Sequence, residues 1–145
     1  MDIRARLWLR IASVFVFLFF LGHTAAVLIP QPSSGPAEDA AVGAMKAFHF
    51  DAMGSDRTLW NFWDGFNYTL SVLLLTLAAA AWQVGRMTRT APALARPLVA
   101  TIGLGLLGTA ILCWQFFFIL PAAFSTIAAF AAFAAWRSLG REAAA

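Results

Sequence analysis

The 145 residues are 61% hydrophobic and 12% charged, with a mean hydropathy of +0.77, which is outside the range of a water-soluble globule and short enough for one domain. The net charge of +3 and the pI of about 10 come from arginines gathered beside uncharged runs, not interleaved with aromatics on one face, which excludes a nucleic-acid patch as their explanation. Cys113 is the sole cysteine, so an intrachain disulfide and a four-cysteine metal site are excluded, and its thiol reads as a small buried apolar group.

A hydrocarbon core of roughly 30 Å takes about 20 apolar residues in a helix. Uncharged runs of that length predict an all-α bundle of four transmembrane helices in a single membrane domain, residues 1–145, with spans at about 7–29, 60–84, 97–120 and 121–138. The first run follows Arg4, Arg6 and Arg10 and ends in the small residues Thr24, Ala25 and Ala26. That pattern is shared with secretory signals, but the expectation is a signal anchor retained as the first span.

An outer connection over residues 30–59 follows, opening with Pro30, Pro32, Ser33, Ser34, Gly35 and Pro36, an extended exit from the apolar region. Val42, Met45, Phe48 and Ala52 then recur at three to four residue spacing opposite Glu38, Asp39 and Lys46, predicting a short amphipathic helix. Gly54 is expected to close it, and Ser55 or Asp56 to cap the next helix. Trp60 and Trp63 open the second span and Trp82 nears its end, while Trp8 and Trp136 sit beside arginines, as in an interfacial aromatic belt.

From Pro97 to Trp136 there is no charge, and a single helix of that length would be about 60 Å long, so the segment must fold back at Pro121. Thr101, Gly105, Thr109 and Cys113 form a small-residue stripe on the third span, suited to a neighbouring helix, a second copy of the chain or another membrane protein. Gly103, Gly105 and Gly108 match a dinucleotide-binding spacing, yet no strand precedes them and no acid follows about twenty residues on. The apolar turn from Phe118 to Phe124 is expected to be covered by the outer connection. Arg86, Arg89 and Arg96 follow the second span and Arg137 and Arg141 the fourth, whereas Glu38, Asp39, Asp51 and Asp56 outnumber Lys46 and Arg57 in the outer connection. The positive-inside rule then places both termini in the cytoplasm, with membrane lipids as the surroundings and no nucleic-acid partner.

The polar residues within spans are the candidate functional groups, because each carries a cost in lipid unless paired or hydrated. Counting at 1.5 Å per residue, His23 lies about 10 Å below the outer boundary, Asp64 and Asn67 roughly 6 and 10 Å, and Gln115 about 7 Å. These fall in one layer, with Tyr68 and Ser71 following on the second span. One reading is an outward-open pocket lined by His23, Trp60, Trp63, Asp64, Asn67, Tyr68 and Gln115, with His23 and Asp64 as ion pair or acid/base couple. The other is that these groups satisfy one another as interhelical ties. His49 and Asp51, with His23 and Asp64, are candidates for a zinc or iron site, and His23 with His49 for haem ligation, though His49 is expected outside the membrane; no cofactor follows from the residues.

The segments Gly22-His23-Thr24 and Trp60-Asn61-Phe62-Trp63-Asp64-Gly65-Phe66-Asn67, joined by the proline-rich connection, resemble a family of small bacterial four-helix integral membrane proteins. The resemblance implies the architecture, marks His23 and Gly65, and implies no reaction. A more distant similarity is to eukaryotic sterol-isomerase-like proteins, whose paired in-membrane acids have no counterpart here, so only the architecture carries over. Three roles follow as expectations. A binding or accessory protein would hold a lipid or other hydrophobic ligand in the outer-leaflet layer; an enzyme would act on a lipidic substrate with His23 and Asp64 in proton transfer; a structural subunit would use its apolar faces.

Overall fold

A computed structural model describes the backbone of residues 3–142 and the side chains of residues 4–140. Asp2, Arg141 and Glu142, which contribute to the charge pattern, have side chains outside the described residues. The order of elements is α1 (Ile3–Leu28), α2 (Pro36–Ala47), β1 (His49–Ala52), β2 (Ser55–Thr58), α3 (Leu59–Met87), α4 (Pro92–Phe116) and α5 (Ile119–Glu142). The protein is mostly helical, and α1, α3, α4 and α5 are each long and apolar enough to cross a membrane. The chain divides into two compact units, one of Met1–Leu21 with Leu73–Ala145 and the other Gly22–Val72.

The first unit is built on small residues. Its main cluster joins Ala5 and Leu9 of α1, Val84 of α3, Ala95 and Val99 of α4, and Ala135 and Leu139 of α5. Along α4 the buried face is Ala95, Val99, Gly103, Leu106, Ala110 and Cys113, a three-to-four residue stripe lying against α5. The α5 face is almost entirely alanine, with Ala122, Ala128, Ala131, Ala132 and Ala135 at or near zero exposure. Close approach is tightest at Gly85 of α3, where an added Cβ would stand 3.3 Å from the Leu9 Cβ, and at Gly103, where it would stand 3.3 Å from the Phe133 ring. Large apolar side chains point away from this interior: Leu104, Ile111, Leu112, Trp114 and Phe130 are more than half exposed.

Polar groups in this unit bond locally or across helices. Ser13 Oγ donates to the Ala78 carbonyl at 2.7 Å, tying α1 to α3, and Trp114 Nε1 donates to Thr126 Oγ1 at 3.0 Å, tying α4 to α5. Ser125 Oγ donates to the Pro121 carbonyl at 2.7 Å within α5. Arg10 lies over Trp82 at 4.9 Å and Arg96 over Trp136 at 5.1 Å, so the arginine-rich helix ends are also tryptophan-rich.

Several local expectations are corrected. Helix α4 starts at Pro92, which suits the first helical turn, and Pro97, where the uncharged run begins, is accommodated inside the helix. The uncharged run marks what lipid could bury, not where helical backbone begins. The α4–α5 break falls at Phe117 and Phe118, and Pro121 sits in the first turn of α5. Of the turn segment from Phe118 to Phe124, Phe118, Ile119 and Leu120 are exposed by 56–66%, whereas Pro121 and Ala122 are buried and Ala123 and Phe124 half-buried. Of the small-residue stripe, only Cys113 lies on the buried face of α4. Gly105 has open space around it, Thr101 is exposed, and Gly103 takes the packed position.

In the second unit, α2 has Glu38 and Asp39 in its first turn and Lys46 in its last, each complementing the helix dipole. Glu38 accepts a hydrogen bond from the Ser34 backbone N–H at 2.7 Å, and this bond, with the Ser34 side chain, holds its carboxyl below the ordinary carboxylate range. The helix stops at Ala47, so Phe48 and Ala52 are not on its face, and α2 has no buried residue. The chain instead forms an antiparallel hairpin with Phe50 opposite Arg57 and Asp51 opposite Asp56. Met53 and Gly54 have φ of 55° and 87°, the two positive values a two-residue type I′ turn requires, so Gly54 is a hairpin residue and not a helix terminator. Asp51 Oδ1 braces the turn by accepting from the Gly54 N–H at 2.6 Å. Ser55 and Asp56 lie in β2, and α3 is capped by Thr58: Thr58 Oγ1 accepts from the Asn61 N–H at 3.1 Å and Asn61 Oδ1 from the Thr58 N–H at 3.0 Å.

Candidate functional site

The predicted polar layer lies largely in the second unit, on the last turns of α1 and the first turns of α3. His23 Nε2 is 3.0 Å from the Asn67 backbone carbonyl. A carbonyl can only accept, so this geometry puts the imidazole proton on Nε2. One residue on, Thr24 Oγ1 donates to Ser71 Oγ at 3.0 Å, and Ser71 Oγ donates to the same Asn67 carbonyl at 3.3 Å. The Asn67 side chain turns back on its own helix, its Nδ2 donating to the Trp63 carbonyl at 2.8 Å. His23, Thr24, Asn67 and Ser71 are therefore one hydrogen-bonded tie between two helices, converging on a single backbone oxygen.

Asp64 is half-buried, and its carboxylate makes no hydrogen bond or ion pair among the described residues, with His23 or any other group. It is flanked by Trp63, Phe66 and Tyr68, which are 56%, 71% and 51% exposed. Trp60 is half-buried beneath Lys46, whose Nζ stands 4.7 Å from the ring centre, a contact that fixes α2 near the start of α3. Gln115 belongs to the first unit, where it is exposed on the last turns of α4 and makes no hydrogen bond among the described residues.

The hairpin groups are arranged by strand register. His49, Asp51 and Asp56 share one face, and His49 Nδ1 lies 3.0 Å from each carboxylate oxygen of Asp56. Asp51 uses an oxygen on Gly54. No group of three or more His, Cys, Asp or Glu side chains is placed to hold a metal ion among the described residues. With His49 directed to Asp56 and Asp51 to the turn, both candidate ligands serve the hairpin itself.

An aromatic run absent from the sequence reading connects the hairpin to α3. Phe48 and Phe50 have ring centres 6.0 Å apart, Phe50 and Phe62 5.3 Å, and Phe62 and Phe66 6.1 Å. The signal lies where two elements meet: Phe48 is the C-cap of α2, Phe50 lies in β1, and residues 62 and 66 share a face of α3. No protein-family model, curated protein or solved structure matches the chain.

Proposed function

We propose that this is a multi-pass protein of a bacterial plasma membrane, with both termini cytoplasmic, that acts as an accessory subunit contacting lipids and other membrane proteins. The membrane reading is supported by the distribution of size: alanine is the commonest buried residue of the first unit, beside a few buried Leu and Val, while Leu104, Ile111, Leu112 and Phe130 face outward. In water such a surface would favour aggregation, whereas in lipid there is no drive to bury large side chains and small ones let helices approach. The arginine-rich helix ends, opposite in charge to the outer connection, support the orientation.

The accessory role rests on one observation. The histidine that would serve as acid or base is engaged with the Asn67 backbone carbonyl, alongside the Thr24–Ser71 bond, an arrangement that holds helices together. The outward small-residue stripe Thr101, Gly105 and Thr109 offers a face for a second copy or another membrane protein. Native mass spectrometry of the detergent-purified protein tests the role with His23→Gln, Asp64→Asn and Gly105→Leu. An accessory subunit loses assembly with Gly105→Leu and keeps it with Asp64→Asn; unchanged assembly in every variant refutes the reading.

A second reading, ligand binding in the outer layer, is favoured by the half-buried Asp64 beside exposed Trp63, Phe66 and Tyr68. It requires a copurifying lipid or other amphiphile that is released by Trp63→Ala with the fold intact. The enzyme reading needs His23 and Asp64 to act as a couple, and an Asp64→Asn variant that folds but loses turnover on a lipidic substrate would revive it.

A further inference from the structure

At the arginine-rich end of the first unit, a groove of about 410 Å³ opens between the start of α1 and the end of α5. Arg4 and Arg137 line it together with the apolar Trp8, Phe130 and Phe133, and the Trp8 and Phe130 rings stand edge to face at 6.1 Å. Ala134 and Ser138 complete the lining, and Ser138 donates its hydroxyl proton to the Ala134 carbonyl at 3.0 Å.

Arginine predominates at this end: between Arg4 and Leu28, and again between Gly65 and Gly140, the sequence contains no Asp or Glu, and Asp2 and Glu142 lie just outside these stretches. Arg10 and Arg96 each have a tryptophan face. Arg137 makes no hydrogen bond, ion pair or ring contact among the described residues. Nearby on α1, Arg6 lies within electrostatic reach of Arg10, Arg86 and Arg89, and its buried Nε has no hydrogen-bond partner among the described residues. A guanidinium pair beside an indole and two phenyl rings matches an amphiphile with a phosphodiester at one end and hydrocarbon at the other.

We propose that this groove is a binding site for an acidic phospholipid of the adjacent leaflet, its headgroup phosphate held by Arg4 and Arg137 and its upper acyl carbons lying on Trp8, Phe130 and Phe133. The site rests on the membrane reading given above. The groove volume suits a headgroup with the first acyl carbons, leaving the rest of the chains in the bilayer. On the cytoplasmic side, where the arginines place this end, anionic lipids are enriched and each nearby cation adds attraction.

The test uses the full-length protein in nanodiscs of phosphatidylglycerol or phosphatidylcholine, released into the gas phase for native mass spectrometry. Wild type is expected to retain one phosphatidylglycerol per chain and no phosphatidylcholine. Charge-assisted bonds to a phosphate predict that Arg4→Gln with Arg137→Gln lowers retention by about ten-fold or more. Ala134→Trp fills the groove with both arginines intact and is expected to lose the lipid as well, which keeps the test decisive if the arginine variant misfolds. Arg57→Gln, in the outer hairpin, should retain it. Equal retention of both lipids, retention by folded Arg4→Gln/Arg137→Gln and Ala134→Trp proteins, or displacement by inorganic phosphate alone would each overturn the proposal, the last by making this a free-anion site. Alkaline extraction separates two failures. Protein released to the supernatant overturns the membrane reading and the site together, whereas pelleted protein that retains no phosphatidylglycerol overturns the site alone.

Discussion

Replacement of Gly85 by leucine tests whether α1 and α3 are held by backbone-level contact. A Cβ at residue 85 would meet the Leu9 Cβ at 3.3 Å and the Arg6 carbonyl oxygen at 3.9 Å, and Leu9 is fully buried. A Cβ cannot rotate out of the way, so one helix must move. Overpacking of this kind costs about 1–3 kcal/mol. Leucine in place of glycine also gains up to about 1 kcal/mol of helix propensity, which would obscure the effect in a single variant. Gly105→Leu supplies the same gain at a site with nothing within 4 Å. The difference between the two variants therefore isolates packing and should be roughly 5- to 150-fold in the unfolding equilibrium. The assay is a denaturing-detergent titration of monomeric protein followed by far-ultraviolet circular dichroism. Equal midpoints for the two variants, or a lower one for Gly105→Leu, would refute the close α1–α3 contact.

A double-mutant cycle on Thr24→Val and Ser71→Ala in the same titration should give a coupling of about 0.6 kcal/mol and no more than about 1.7, the range for hydrogen bonds between membrane helices; additive single variants would show that the Thr24–Ser71 bond contributes nothing. At the hairpin tip, Met53→Asn should slow amide exchange in β1 and β2 and Gly54→Val should speed it, since both positions have positive φ and only Asn or Gly adopts that at low cost. Reversal of that order would remove the turn assignment. The lowered pKa of Glu38 means that its support of the α2 start is present above the ordinary carboxylate pKa and is lost as pH falls through the lowered folded value. The Ser34 amide resonance should shift across that acidic window, and an amide that does not respond, or that responds equally in Glu38→Gln, would count against the bond.

Charge-free runs located the long apolar helices because charge in lipid is costly enough to leave few alternatives. The segment from Phe48 to Thr58 was read differently because Phe48 and Ala52 fit helical spacing while Phe48 and Phe50 fit strand alternation, and Gly54 serves either a helix end or a turn. A four-residue strand is too short for periodicity to decide. In the polar layer, counting depth brought His23 and Asn67 to one level, but side-chain matching could not find a bond whose acceptor is the Asn67 carbonyl. The aromatic run and the arginine groove escaped for a related reason: each joins residues distant in sequence that only the packed helices bring together.

The two-residue α4–α5 turn bears on how the chain is made. On the membrane reading, no charged residue from Pro97 to Trp136 could tether an intermediate at the far interface, and the turn itself is bare phenylalanine. Half of this pair would expose the small face of α4 to lipid without its alanine-lined counterpart. On that reading the two helices are expected to leave the translocon as one pre-paired hairpin, and Arg96 and Arg137, on either side of its open end, would keep that end from following the turn across the bilayer.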